Sequence, residues 1–234
     1  YILEEVQSIT AVLPEPAATA FAIATFMGLR IGEIEALQWE DYRDGEMHIC
    51  RSIWNGHVGR PKTRTSAAPV PVIRHLAERL ELHRLRSHNP ESGPIFANGL
   101  CKPMSMNNLL GRVIRPALYR CGLCGKSKGR SHLKADHEYQ RDTSLPQWHG
   151  WHAARRGLGS NLYRLGVPPM VIQRILRHSN VSTTANYYIK TAADDVRSAM
   201  AKLEKTVTET PHVELRDTFG TPELVPGIVT GAIN

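Results

Sequence analysis

At 234 residues, with 41% hydrophobic and 22% charged side chains, the chain can bury a real core in one or two domains. The formal charge of +7 suits a polyanionic partner such as nucleic acid. No apolar run reaches the ~20 residues of a membrane-spanning helix, and four cysteines in a chain of this size do not make a disulfide scaffold. A reducing cytoplasm is the expected compartment.

Residues 2–13 carry a short amphipathic pattern. Pro14 and Pro16 open a helix through Phe26, which Gly28–Arg30 interrupts. Ile31, Ile34 and Leu37 then recur at helical spacing toward a core. From Trp39 to Val72 the pattern changes. AspGly at 44–45 and AsnGly at 55–56 mark hairpin turns, and residues 48–54 and 68–72 read as strands of one small antiparallel sheet.

Helix returns over 73–87 and, capped by Ser105, over 105–119. Residues 121–147 are polar, without period, and read as an insertion. Further helices are expected over 150–165, after Pro169, over 182–188, and from a capping box at Thr191 and Asp194 to about Lys205. The tail, 206–234, is rich in Thr, Pro and Gly, and order there is not expected. The fold class is mainly α with a small antiparallel β-sheet (α+β).

The chemistry is concentrated in two segments. TrpHisAlaAlaArgArgGly (151–157) puts His152 and Arg155 three residues apart, on one helical face. LeuArgHisSerAsnValSerThrThrAlaAsnTyrTyr (176–188) adds His178 and two adjacent tyrosines. A tyrosine hydroxyl, with a pKa of about 10, is a useful nucleophile when arginines neutralise an anionic target and imidazoles carry protons. A solvated basic helix is the plainer reading of 151–157 alone.

HisXaaXaaArg, LeuXaaHisSer and ThrThrXaaXaaTyr, in this order and at these intervals, resemble the C-terminal half of the tyrosine recombinase (phage integrase) catalytic domain. Upstream, GlyLeuArgIleGlyGluIle (28–34) is similar to the family's first arginine motif. ArgProLysThrArgThr (60–65) is similar to its lysine-bearing hairpin. The resemblance spans about 4–205. It implies a catalytic domain over 1–205 with an insertion at about 121–148, and implies that the family's N-terminal DNA-clamping domain is absent from this chain.

Residue by residue, the resemblance implies that Arg30 and Arg155 clamp the scissile phosphate. Tyr187 is then the nucleophile, with Tyr188 its rival, and Lys62, with Arg60 and Arg64 its rivals on the hairpin, protonates the leaving 5′-oxygen. His152 exchanges a proton near the phosphate, and His178 donates to a phosphate oxygen. Glu33 is expected to orient an arginine or support the fold rather than perform chemistry. The activity implied is site-specific DNA strand exchange through a 3′-phosphotyrosyl ester, with no cofactor required. The implied partners are double-stranded DNA and further copies of the chain, in a tetrameric synapse on DNA, in the bacterial cytoplasm at the nucleoid. A type IB topoisomerase-like nicking and resealing enzyme, or a degenerate integrase that only binds DNA, are the alternatives.

Two features depart from the family pattern. Arg177 stands where glycine usually precedes the second histidine. The insertion holds CysGlyLeuCys (121–124), then His132 and His137, which are ligand types for structural zinc. The seven residues between Cys124 and His132 are fewer than in common zinc fingers. That gives more weight to the other reading, a flexible basic loop on the DNA backbone with its cysteines merely small apolar residues.

Overall fold

A computed structural model describes residues 1–61, 63, 65–178 and 200. Every element named below falls within one compact unit, Tyr1–Lys190. The central element is α2 (Ala17–Phe26), whose sequence AATAFAIATF has no polar face and is buried from Ala17 to Thr25. A helix apolar on all sides must be surrounded. Here α1 (Leu3–Val12), α4 (Arg74–Arg86) and α7 (Trp151–Arg164) pack around it. Its two threonines are satisfied locally: Thr19 Oγ1 donates to Glu15 Oε2 at 2.7 Å and Thr25 Oγ1 to the Phe21 carbonyl at 2.9 Å.

Gly28 ends this run in the left-handed region at φ 61°, where a Cβ would meet Leu158 and Leu176 side chains at 3.0 Å. That reversal aims the chain into α3 (Ile31–Glu35), with Arg30 at its N-cap. Both turn signals are hairpins as expected. AspGly joins β1 (Tyr42–Arg43) to β2 (Glu46–Met47), and AsnGly joins β3 (Ser52–Trp54) to β4 (His57–Gly59).

The strands are shorter than the β-rich composition suggests and form two sheets rather than one. β5 (Val70–Pro71) adds to β2, giving the order β1-β2-β5, while β3 and β4 pair separately. Residues 48–51, expected as strand, carry no ladder. The second hairpin is held against α3 by close approach, for a Cβ on Gly32 would lie 2.2 Å from the Ile53 carbonyl oxygen.

Ser105 caps the next helix, its Oγ accepting from the Asn108 N–H at 3.4 Å. That helix comprises α5 (Met106–Leu109), a π-helical stretch (Leu110–Ile114) and α6 (Arg115–Leu118). The expected helices at 150–165 and after Pro169 are α7 and α8 (Pro169–Leu176). Ile172 and Leu176 of α8 pack on Leu158 and Leu162 of α7, consistent with its apolar stripe. The expected helix over 182–188 lies outside the described residues; of the final helix to about Lys205, only Met200 is described, and it is helical.

Candidate active site

Arg155 is the hub. It lies on the buried face of α7, 2% exposed, and its guanidinium donates to the carbonyl oxygens of Gly28 and Leu176. Those carbonyls stand two residues before Arg30 and two before His178. One side chain thus ties together the three segments that carry the arginine and histidine motifs. His152, one turn earlier on α7, is exposed. Burial of part of its ring, with the charges of Arg156, Arg155 and Arg30, pushes its pKa down. At neutral pH it is a neutral imidazole able to accept a proton.

His178 is half-buried at the end of α8. Desolvation, then the charges of Arg155, Arg30, the neighbouring His152 and Arg177, bring its pKa down to about 4. A cluster whose arginine charges help keep both histidines neutral is suited to an anion. Arg30 is the accessible member. Its side chain is 43% exposed, with Nη1 donating to Glu33 Oε1 at 2.8 Å. It opens onto a cavity of about 430 Å³ between α3 and the second hairpin, lined also by Trp54, Arg60, Pro61 and Thr63. Pro61 and Thr63 flank position 62.

Glu33 is buried, and its Oε2 accepts from the Arg30 backbone N–H at 2.9 Å and from Arg177 Nη2 at 2.6 Å. Burial alone would raise its pKa. The Arg177 charge and the hydrogen bonds from Arg30 and Arg177 outweigh that and hold it below the usual carboxylate range.

Arg177 therefore has a structural place that its motif does not announce. Its backbone sits in the left-handed region at φ 54°, where glycine is ordinarily favoured. Its side chain, 1% exposed, runs inward to Glu33, and Nη1 donates to the Ser66 carbonyl at 2.7 Å. Arg30, Glu33, Arg177 and Ser66 thus form one connected chain, buried except at Arg30, from the first arginine motif to the base of the lysine-bearing loop. Sequence reading missed Arg177 and Ser66 in this role, because their partners lie 144 and 111 positions apart.

Of the residues singled out in the sequence, Arg30, His152, Arg155 and His178 are brought together. Lys62, Tyr187 and Tyr188 lie outside the described residues. The four residues suggested for zinc also converge, in the separate segment 121–137. Among the described residues no helix is long and apolar enough to cross a membrane.

Comparison with known proteins agrees with this architecture. A XerC-like tyrosine recombinase of Caldanaerobacter subterraneus subsp. tengcongensis is 27% identical over 185 residues, 72% of this chain and 44% of the relative. The chain thus spans less than half the length of that relative. The Tn1549 transposon integrase in complex with circular intermediate DNA superposes with a TM-score of 0.60 at 19% identity, over 87% of this chain and 66% of that one. The XerA recombinase superposes with a TM-score of 0.56 at 13% identity, over 80% of this chain and 57% of that one. At these identities the likeness is one of fold. Residues 2–195 match the phage integrase family, and the chain belongs to that family.

Proposed function

We propose that this chain is the strand-cleaving and rejoining unit of a site-specific DNA recombinase. The observation that carries the reading is Arg155 joining the Gly28–Arg30 and Leu176–His178 segments, which concentrates two arginine charges and two neutral imidazoles where a phosphate can sit. Arg30, the exposed member, meets the non-bridging oxygens directly, and Arg155, whose guanidinium also holds the Gly28 and Leu176 carbonyls, is the second member of the clamp that the family resemblance implies. Guanidinium suits those oxygens, since it offers planar paired donors to the charge that builds in a pentacoordinate transition state.

The Tyr187 oxygen attacks phosphorus, its proton passing to neutral His152. The P–O5′ bond breaks, and the departing oxygen takes a proton from Lys62. His178, neutral before DNA arrives, donates one N–H to a phosphate oxygen. The product is a 3′-phosphotyrosyl ester and a free 5′-hydroxyl. Attack by another strand's 5′-hydroxyl reverses the steps and reseals the DNA. The ester retains the bond energy, so neither ATP nor a catalytic metal is required; the arginines take the electrostatic part that Mg²⁺ plays in other phosphoryl transfers.

The partners are duplex DNA and further copies of the chain, in a tetrameric synapse assembled on DNA, with activity at the bacterial nucleoid. Binding through phosphate contacts should weaken steeply with salt. The test is a nicked duplex from which the 5′-hydroxyl fragment diffuses away, incubated without ATP or added divalent ion. A protein–DNA adduct through the 3′-phosphate is expected. Hydrolysed product without an adduct, or linkage to a 5′-phosphate, would refute the reading. Relaxation of supercoiled DNA with no recombinant product would reassign the chain to a topoisomerase-like activity.

A further inference from the structure

We infer that Cys121, Cys124, His132 and His137 hold one structural zinc ion. One ligand atom from each residue lies within 4.8 Å of every other. His132 Nε2 and His137 Nε2 are 3.3 Å apart, and Cys121 Sγ is 3.4 Å from His137 Nε2. Tetrahedral zinc, with Zn–N near 2.0–2.1 Å and Zn–S near 2.3 Å, spaces its ligand atoms by about 3.3–3.8 Å. Two thiolates and two imidazoles fill all four positions and leave none open for substrate, the hallmark of a structural rather than a catalytic site.

Three further observations bear on it independently. The Nδ1 of His137 faces Asp136 Oδ1 at 2.9 Å, the carboxylate partner that fixes a histidine's tautomer and leaves Nε2 for metal. The Cys121 carbonyl accepts from the Gly125 N–H and the Cys121 N–H donates to the Lys126 carbonyl, both at 2.8 Å, which closes CysGlyLeuCys into a tight knuckle. The last concerns burial. Between 120 and 147 the buried residues are Cys121 and His132 alone, while Leu123 and Leu133 are 62% and 80% exposed. A segment without an apolar core has no hydrophobic means of fixing its shape, and metal ligation supplies one.

The loop that is short for a finger is accommodated without a finger helix. Isolated bridges Arg120–Ser127 and Cys121–Arg141 fold the segment into a knuckle, and Gly129 accepts from the His132 N–H at 2.9 Å. On binding, both thiols release their protons and zinc takes their place. The ordered knuckle carries Lys126, Lys128, Arg130 and Lys134 on its surface.

The test is metal analysis of the full chain, purified under reducing conditions from cells supplied with zinc. About one zinc per chain is expected, released when a mercurial blocks the thiols and detected with a metallochromic dye. The Cys50→Ser and Cys101→Ser variants should retain it. Cys124→Ser and His137→Asn should each lose it, and two variants guard against one failing to fold. Replacement by cobalt should give the intense visible bands of a tetrahedral thiolate site. Wild-type protein without stoichiometric zinc, a Cys121–Cys124 disulfide in its place, or full zinc retention by Cys124→Ser would each overturn the assignment. The adduct assay is separate, so failure here leaves the recombinase reading standing.

Discussion

Arg155 and Arg177 are fixed by carbonyls and a carboxylate reached from segments up to 144 positions away, whereas the 120–147 segment buries only Cys121 and His132. The two regions belong to one chain but secure their geometry differently. The arginine cluster is a by-product of packing: α2, α3, α7 and α8 must be in place before its hydrogen bonds exist. The cysteine–histidine lobe, on the zinc proposal, instead depends on four ligand atoms. The first should therefore fail with the core, and the second with its metal.

The largest expected effect breaks the arginine side of that contrast. Arg177→Ala leaves Glu33 as a buried carboxylate without its main counter-charge, which costs about 3–5 kcal/mol and should be read in urea midpoints. Arg177→Gly removes the left-handed strain, worth roughly 1–2 kcal/mol, yet should still unfold well before wild type. Wild-type stability in both variants would show that the Arg177–Glu33 pair is not structural.

Next comes Arg30→Lys. Because Arg30 is 43% exposed, its loss should leave thermal stability nearly unchanged. Strand cleavage should fall about 10²–10³-fold, as for other lost transition-state donors. A stability loss matching that of Arg177→Ala would erase the distinction between the accessible and buried arginines.

Gly32→Ala tests the hairpin beside them. A Cβ at 2.2 Å from the Ile53 oxygen must push β3 away, at a cost of about 1–3 kcal/mol. The hairpin that bounds the Arg30 cavity would shift with it, so DNA cleavage should drop with only partial loss of stability. Zinc removal sharpens the other side. Proteolysis should accelerate within 126–134 while the main unfolding transition moves little, and a collapse of the whole fold would show that the lobe and the core are not separately secured.

The smallest effect is on pH. His178 has a folded pKa of about 4 against an ordinary 6.5, so its contribution is complete above pH 6.5 and is lost as pH falls toward 4. Melting temperature should decline over that window, and His178→Gln should flatten the decline. Glu33, also depressed, loses its contribution only at lower pH as it takes up a proton. Phosphate binding offsets the arginine charges, so DNA should raise the His178 pKa and take up protons on binding.

Much of this was legible in the sequence, for physical reasons that differ by element. α2 declared itself because a run without a polar face has to be central. The hairpins declared themselves because AspGly and AsnGly supply positive φ at Asp44–Gly45 and Asn55–Gly56. Residues 48–51 misled, since β-type composition does not secure a pairing partner. Arg177 could be noted only as an oddity; its meaning lies in Glu33 and Ser66, which local pattern cannot connect to it. The two cysteines and two histidines were legible as ligand types for the proposed zinc, but the short loop between Cys124 and His132 was unlike a common finger, and only the knuckle's bridges show how that loop closes.

The most direct test of the central claim concerns which hydroxyl becomes esterified. On the nicked substrate, wild type and Tyr188→Phe should accumulate the covalent 3′ adduct, and Tyr187→Phe should form none while still binding DNA. An adduct from Tyr187→Phe, or its loss in Tyr188→Phe with normal DNA binding, would contradict the account.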